Sequence, residues 1–134
     1  MSESPRDVAQ RLIRGITEER WTELPGLYAE DTVVELPFSP ERTVMRGRAE
    51  LAEHFGAAPA RPLRLAAANI VVHETADPEV IVIEYDYDGE VTTTGHTFTV
   101  PNIIVMRVRD GRIVSSRDYH DHHAIGAAMA ERRG

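Results

Sequence analysis

The chain contains no cysteine, which removes a disulfide framework, a thiolate nucleophile and any cysteine-ligated zinc. It has no apolar run near the ~20 residues that a membrane-spanning helix needs. Its opening residues, Met1-Ser2-Glu3-Ser4-Pro5, lack the basic and apolar stretches of a secretory signal, so a cytoplasmic location is expected. Basic residues are outnumbered, and the net charge of −7 argues against nucleic acid or an anionic membrane as a partner. There is no glycine-rich phosphate loop, so no nucleotide is expected either. Aromatic residues are scarce, at 6% of the total. What is present is ordinary for a globular chain: 134 residues, 42% hydrophobic and 28% charged. That length suits one domain, residues 1–134, with a core of its own.

Helices come first along the chain. Ser4-Pro5-Arg6-Asp7 combines a capping serine, a proline suited to the first helical position and an acid that can close a capping box. Val8, Leu12, Ile13 and Ile16 then form one apolar stripe. A short helix is expected after Thr22, a strand at Thr32–Leu36, a loop from Pro37 to Arg42, and a helix at Ala49–Phe55. In that helix His54 shares the inward face with Leu51 and Phe55. After Pro62 the period changes to strands: Leu63–His73, Glu79–Tyr87, Val91–Val108 (with a break near Pro101) and Arg112–His120. Ala124, Ile125, Ala128 and Met129 mark a closing helix. Helices followed by an antiparallel meander make an α+β fold.

The densest chemistry lies at Arg117-Asp118-Tyr119-His120-Asp121-His122-His123. Which of these side chains point together depends on the hairpin at Asp110-Gly111. A two-residue turn would set Arg109 against Arg112. A three-residue loop with a bulge sets Val108 against Arg112, relieves the like charges, and is the register expected. It places Asn102, Ile104 and Met106 on one face with Asp118 and Ser116, and Arg117 and Tyr119 on the other. In the preceding strand Glu84, Asp86 and Asp88 share a side, opposite Tyr85 and Tyr87. Asp86 and Asp118 are therefore the candidate carboxylate pair, since neighbouring buried carboxyls divide acid and base roles. His54 is expected to roof them, with Glu84 nearby and His120 at the rim. The plain alternatives are a solvated strand end for Glu84 and Asp88 and a hydrogen-bonded core role for His54. Asp121 is expected to cap the last helix, with His122 and His123 solvated on its first turn. The histidines lack H-x-x-x-H spacing, so no metal is expected.

Leu27-Tyr28-Ala29-Glu30-Asp31, Arg46-Gly47-Arg48-Ala49-Glu50-Leu51-Ala52-Glu53-His54, and Asp110-Gly111-Arg112-Ile113 running to Asp121 together resemble the nuclear transport factor 2-like superfamily. Within it the resemblance is to SnoaL-like and ketosteroid isomerase-like proteins, from about Val8 to Ile125. It implies a cone in which helices sit in the concave face of a strongly curved mixed, mostly antiparallel sheet around an apolar pocket. It also implies a homodimer through the sheet's outer face. The polar residues of the ketosteroid isomerases are replaced here by Leu36, Ile104 and a position near Leu12, which speaks against that machinery. Limonene epoxide hydrolases are similar through Asp118 and Asp86 but would need a cation where Glu84 stands. Phenazine-biosynthesis A/B proteins are similar at Arg46–His54, at Glu74-Thr75-Ala76-Asp77-Pro78 and at Asn102, and imply His54 and Asp118 as an acid/base pair.

The expected function is cofactor-independent acid/base chemistry on a small apolar carbonyl compound, of the cyclase, isomerase, dehydratase or condensation type. Asp118, His54 and Asp86 are the expected catalytic groups, and Asn102, Ser116, His120 and Glu84 are expected to bind substrate. The expected walls are Trp21, Tyr28, Leu51, Phe55, Ile104 and Met106. The rivals are a non-catalytic ligand-binding or dimerisation module and an epoxide hydrolase.

Overall fold

A computed structural model describes residues 3–41 and 43–130 of the chain. Helix α1 (Pro5–Thr17) begins as its sequence predicts. The Ser4 hydroxyl accepts from the Asp7 amide, and the Asp7 carboxylate accepts from the Ser4 amide, so both halves of the capping box form. Its buried stripe of Val8, Leu12 and Ile13 faces the sheet, where α1 lies against β3, β4 and β5. Gly15 lets the next segment come close, because Leu24 occupies the space a side chain there would fill. That segment is a 3₁₀ turn, Leu24–Leu27, rather than the expected helix.

Six strands form one sheet: β1 (Tyr28–Leu36), β2 (Thr43–Arg46), β3 (Leu63–Glu74), β4 (Val80–Val91), β5 (Thr97–Arg109) and β6 (Arg112–His120). Their order is β2-β1-β6-β5-β4-β3, with β1 parallel to β6 and every other pair antiparallel. β2 is too short and exposed to show a period and was not expected. Through Gly47 (φ 87°) it enters α2 (Arg48–Gly56). This junction explains the Arg46-Gly47-Arg48-Ala49-Glu50 run. Glu50 accepts from the Arg46 amide, the Gly47 amide donates to the Thr32 carbonyl, and Arg48 donates twice to the Tyr28 carbonyl. The run is a clasp that fixes α2, and hence His54, against β1. Arg42, expected in the preceding loop, lies outside the described residues.

The β5–β6 hairpin differs from the expected register. Asp110 (φ 52°) and Gly111 (φ 74°) form a two-residue turn, and Arg109 does pair with Arg112. Glu79 resolves the charge conflict by accepting two hydrogen bonds from Arg109 and one from Arg107. A bulge between Arg107 and Val108 then sets Ile104 opposite Asp118 and Asn102 opposite His120. Beyond the bulge the expected register was out by two residues, so Ser116, Asp118 and His120 kept their face, whereas Ile113, next to the turn, changed to the buried one. β5 also runs unbroken through Pro101, which falls one residue past the end of β6, so no ladder bond with β6 is lost. Helix α3 (His122–Ala130) starts where Asp121 accepts from the Ala124 amide, the expected cap.

Candidate functional site

The inner face of the sheet, α1, α2 and α3 enclose a cavity of about 350 Å³. Its walls are built by strand alternation. β4 turns Tyr85 and Tyr87 inward, β5 turns Ile104 inward, and β6 turns Asp118 and His120 inward. From the helical side come Leu12, Leu51, His54 and Phe55, and α3 closes the end with His122, Ile125 and Met129. Trp21 stacks on Phe55 at 6.4 Å, and Tyr28 lies 6.1 Å from the same ring. Although the chain is poor in aromatics, five of its eight (one Trp, four Tyr, three Phe) line this one space. Leu12, Leu36 and Ile104, at or near the positions compared above with ketosteroid isomerases, are all wall.

Among the described residues Asp118 is the one carboxylate in that wall. Burial disfavours its charged form, and a 2.5 Å hydrogen bond from the Ser116 hydroxyl favours it; burial prevails and pushes its pKa up to about 6. The three imidazoles respond oppositely to the same desolvation. His120 falls to about 4, pushed down by burial and then by its neighbours His122 and His54. Burial and the Arg61 guanidinium lower His54, and burial lowers His122 against the pull of Asp121. Tyr28 and Tyr85 are raised well above their ordinary value, and Tyr87 is raised to about 12, each chiefly by burial. At neutral pH the cavity therefore holds neutral imidazoles and neutral phenols, with the Arg61 guanidinium in its wall, around a carboxyl that can hold or release a proton.

Several expected site residues stand elsewhere. Asp86 and Glu84 are on the outer face: Asp86 accepts from the Asn69 amide at 2.9 Å, and Glu84 contacts His73 Nε2 at 2.6 Å. With the sheet between them, Asp86 and Asp118 cannot share a proton or a water. The pairing failed because the more polar face of β4 was taken as the cavity face, whereas Ile81, Ile83, Tyr85 and Tyr87 are the buried row. Met106 is buried core beyond the cavity. Ser116 and Asn102 are buried but act through neighbours, Ser116 on Asp118 and Asn102 on His120. His122, expected in solvent, borders the cavity and packs edge-on to His120 at 5.8 Å; His123 is exposed. Among the polar members of the wall, Tyr85, Tyr87, His122 and Arg61 were missed. The apolar alternation of β4 carried the signal for the two tyrosines, but nothing local marked His122.

A curved mixed sheet holding helices in its concave face, with a cavity between them, defines the cone-shaped nuclear transport factor 2-like class. Within it the chain belongs to the SnoaL-like domain family, whose model matches residues 9–116. The match stops short of Asp118, so it bears on the scaffold and not on that carboxylate. The uncharacterized protein YesE of Bacillus subtilis (strain 168) is 34% identical over 101 residues, 74% of this chain and 67% of that protein. An uncharacterized PhzA/B-like protein of Pseudomonas aeruginosa is 30% identical over 111 residues, 81% of this chain and 76% of that one. A crystal structure named "Putative Isomerase from Bacillus subtilis" superposes with a TM-score of 0.84 at 26% identity, covering 92% of this chain and 90% of its own.

Proposed function

We propose that the protein is an acid/base enzyme that enolises a small, largely apolar carbonyl compound, with Asp118 as the proton-transferring group. The observation that carries this reading is a carboxyl, alone of its kind among the described residues of an apolar, aromatic cavity, with its pKa lifted to about 6. A base works best when its pKa lies near the working pH, and an ordinary aspartate lies too low. Asp118 removes a proton from the carbon next to the carbonyl. The C–H electron pair moves into the new C=C bond, and the carbonyl electrons move onto oxygen. A buried phenol, Tyr28 or Tyr87, hydrogen-bonds the developing oxyanion without giving up its proton. Return of the proton to a different atom isomerises the substrate; attack by the enolate carbon on a second carbonyl within it cyclises the substrate. His54 and the other imidazoles, neutral at pH 7, shape the pocket and accept hydrogen bonds. The isomerase name of the Bacillus subtilis structure favours the same class. The outer face, where Val71, Glu84, Ile103 and Tyr119 align across four strands, is the proposed homodimer contact.

The test uses deuterium exchange from D₂O into the α-position of a panel of aryl and alkyl ketones, followed by NMR. Native protein should accelerate exchange of at least one member, and Asp118→Asn should slow it ~10²–10⁴-fold, the usual worth of a positioned general base. Equal rates for the two proteins would remove Asp118 from the role.

A further inference from the structure

The strand pairing places Asn102 between Tyr85 and His120, one cross-strand row of the inner face. Asn102 is almost fully buried, and its amide makes two contacts. Nδ2 donates to the Val100 carbonyl at 3.3 Å, and Oδ1 faces His120 Nδ1 at 2.8 Å. Only this orientation of the amide satisfies both ends, because the reverse would oppose two carbonyl oxygens. An acceptor at Oδ1 requires a proton on His120 Nδ1. A neutral imidazole carries one proton, so Nε2 bears a free lone pair. His120 borders the cavity, and among the described residues no protein group donates to its Nε2. The Nε2 of His122, enclosed beside it, is likewise unpartnered. With the Asp118 carboxylate, this end of the cavity is rich in acceptors. The cavity wall also carries donors, in the Arg61 guanidinium, the Trp21 indole and the phenols, and the one set beside His120 is Tyr87, whose ring lies 6.1 Å from the imidazole. Tyr87 accepts from Tyr85 at 3.3 Å, which leaves its own hydrogen available.

We infer that the cavity selects a hydroxy ketone, whose hydroxyl donates to His120 Nε2 while its carbonyl accepts from a phenol, and that Asn102 is the positioning residue that imposes this choice. The inference rests on the acid/base reading of the same cavity and specifies its substrate class. A plain ketone would leave the His120 lone pair desolvated and unmatched, whereas a hydroxyl beside the carbonyl matches it.

Two measurements test it. Long-range ¹H–¹⁵N NMR of the native protein at pH 7 reads the His120 tautomer without any ligand. Protonation at Nδ1 is expected, with a shift toward the commoner Nε2–H form in Asn102→Leu; an Nε2–H tautomer in the native protein would overturn the inference. Binding is then compared for 2-hydroxyacetophenone and acetophenone by titrating Trp21 fluorescence. The hydroxy ketone should bind about fivefold or more tighter to native protein, the worth of one good hydrogen bond, and less than twofold tighter to Asn102→Leu and His120→Leu. Equal affinity for native protein would also overturn it. Neither measurement depends on Asp118. Loss of the base role with the hydroxyl preference intact would fault the reaction, and the reverse would fault the substrate class.

Discussion

Asp118 and Asp86 belong to one sheet and are the same residue type, yet the sheet assigns them opposite surroundings. Asp118 faces inward beside Ile104, among phenols and imidazoles, with Ser116 as its hydrogen-bond donor. Asp86 faces outward opposite Pro101, with the Asn69 amide on its carboxylate. The difference comes from parity alone: β4 presents its even-numbered residues outward, while β6, from Ser116 onward, presents its even-numbered residues inward. One residue of slip in β4 would turn Asp86 inward, and one in β6 would turn Asp118 outward. A carboxylate thus becomes a candidate base through the face it lands on, not through its local sequence.

The sharpest way to break the comparison is to neutralise each acid in turn. Asp118→Asn should abolish α-proton exchange by the ~10²–10⁴-fold given above, while Asp86→Asn should leave the rate within about twofold. Comparable losses in both variants would mean that the inner cavity is not the seat of the chemistry.

The next effect is on stability, and its sign is opposite for two neighbouring groups of the cavity, Asp118 and His120. Asp118 has its folded pKa raised from 3.8 to about 6, so its contribution is full below pH 3.8 and is lost as pH rises through 6. At pH 7 its buried charge costs about 3 kcal/mol at ~1.4 kcal/mol per pKa unit. His120 has its folded pKa lowered from 6.5 to about 4, so its contribution is full above pH 6.5 and is lost as pH falls through 4. Between pH 4.5 and 6.5 the two slopes oppose each other in the native protein. Asp118→Asn should therefore be more stable than native protein at pH 7, with a stability that rises from pH 4.5 to 6.5. His120→Gln should remove the His120 share of that rise. Urea unfolding at the two pH values measures both slopes, and an Asp118→Asn variant less stable at pH 7 would show that the carboxyl is not held in a desolvated place.

Much of this architecture was legible before any coordinates. Ser4 and Asp7 carry a complete capping signal, Asp121 carries another, and Asp118 keeps its inward face even though the hairpin register was misjudged by two. An even slip preserves parity, which is why the candidate base survived the error. The choice of the wrong face for β4 was a misjudged alternation, but two other misreadings share one cause. The expected register avoided opposing Arg109 to Arg112 by changing the turn, whereas the protein supplies Glu79 from the far side of β5. Tertiary partners of that kind leave no local trace. The same holds for His122, whose place in the cavity depends on the angle at which α3 leaves β6.

The outer face offers a smaller effect. Ile103 is 41% exposed in the middle of the row Val71, Glu84, Ile103 and Tyr119, with Phe38 set edge-on against Tyr119 at 5.2 Å. Apolar side chains on a sheet face suit a second copy better than water. Ile103→Lys should weaken the proposed homodimer by ~10-fold or more in analytical ultracentrifugation, the cost of a charge at the centre of a contact. A native protein that sediments as a monomer at high concentration would remove this proposal and leave the cavity argument untouched.

The smallest expected effect concerns Asn69, the donor to Asp86. Asn69 sits at a positive φ of 55° where the β3–β4 register shifts, a conformation that asparagine tolerates better than most residues. Its side-chain bond to Asp86 is exposed, so a net worth of ~0.5 kcal/mol is expected. Asn69→Gly relaxes the backbone but deletes the bond, whereas Asp86→Ala deletes the bond alone. If the outer carboxylate serves only to hold this bulge, Asp86→Ala should lower stability by about 0.5 kcal/mol and Asn69→Gly by less, both without effect on exchange. A loss above 2 kcal/mol in Asp86→Ala would mean that the bulge shapes the curvature of the sheet, and through it the cavity in which Asp118 lies. The two faces would then be mechanically coupled instead of independent.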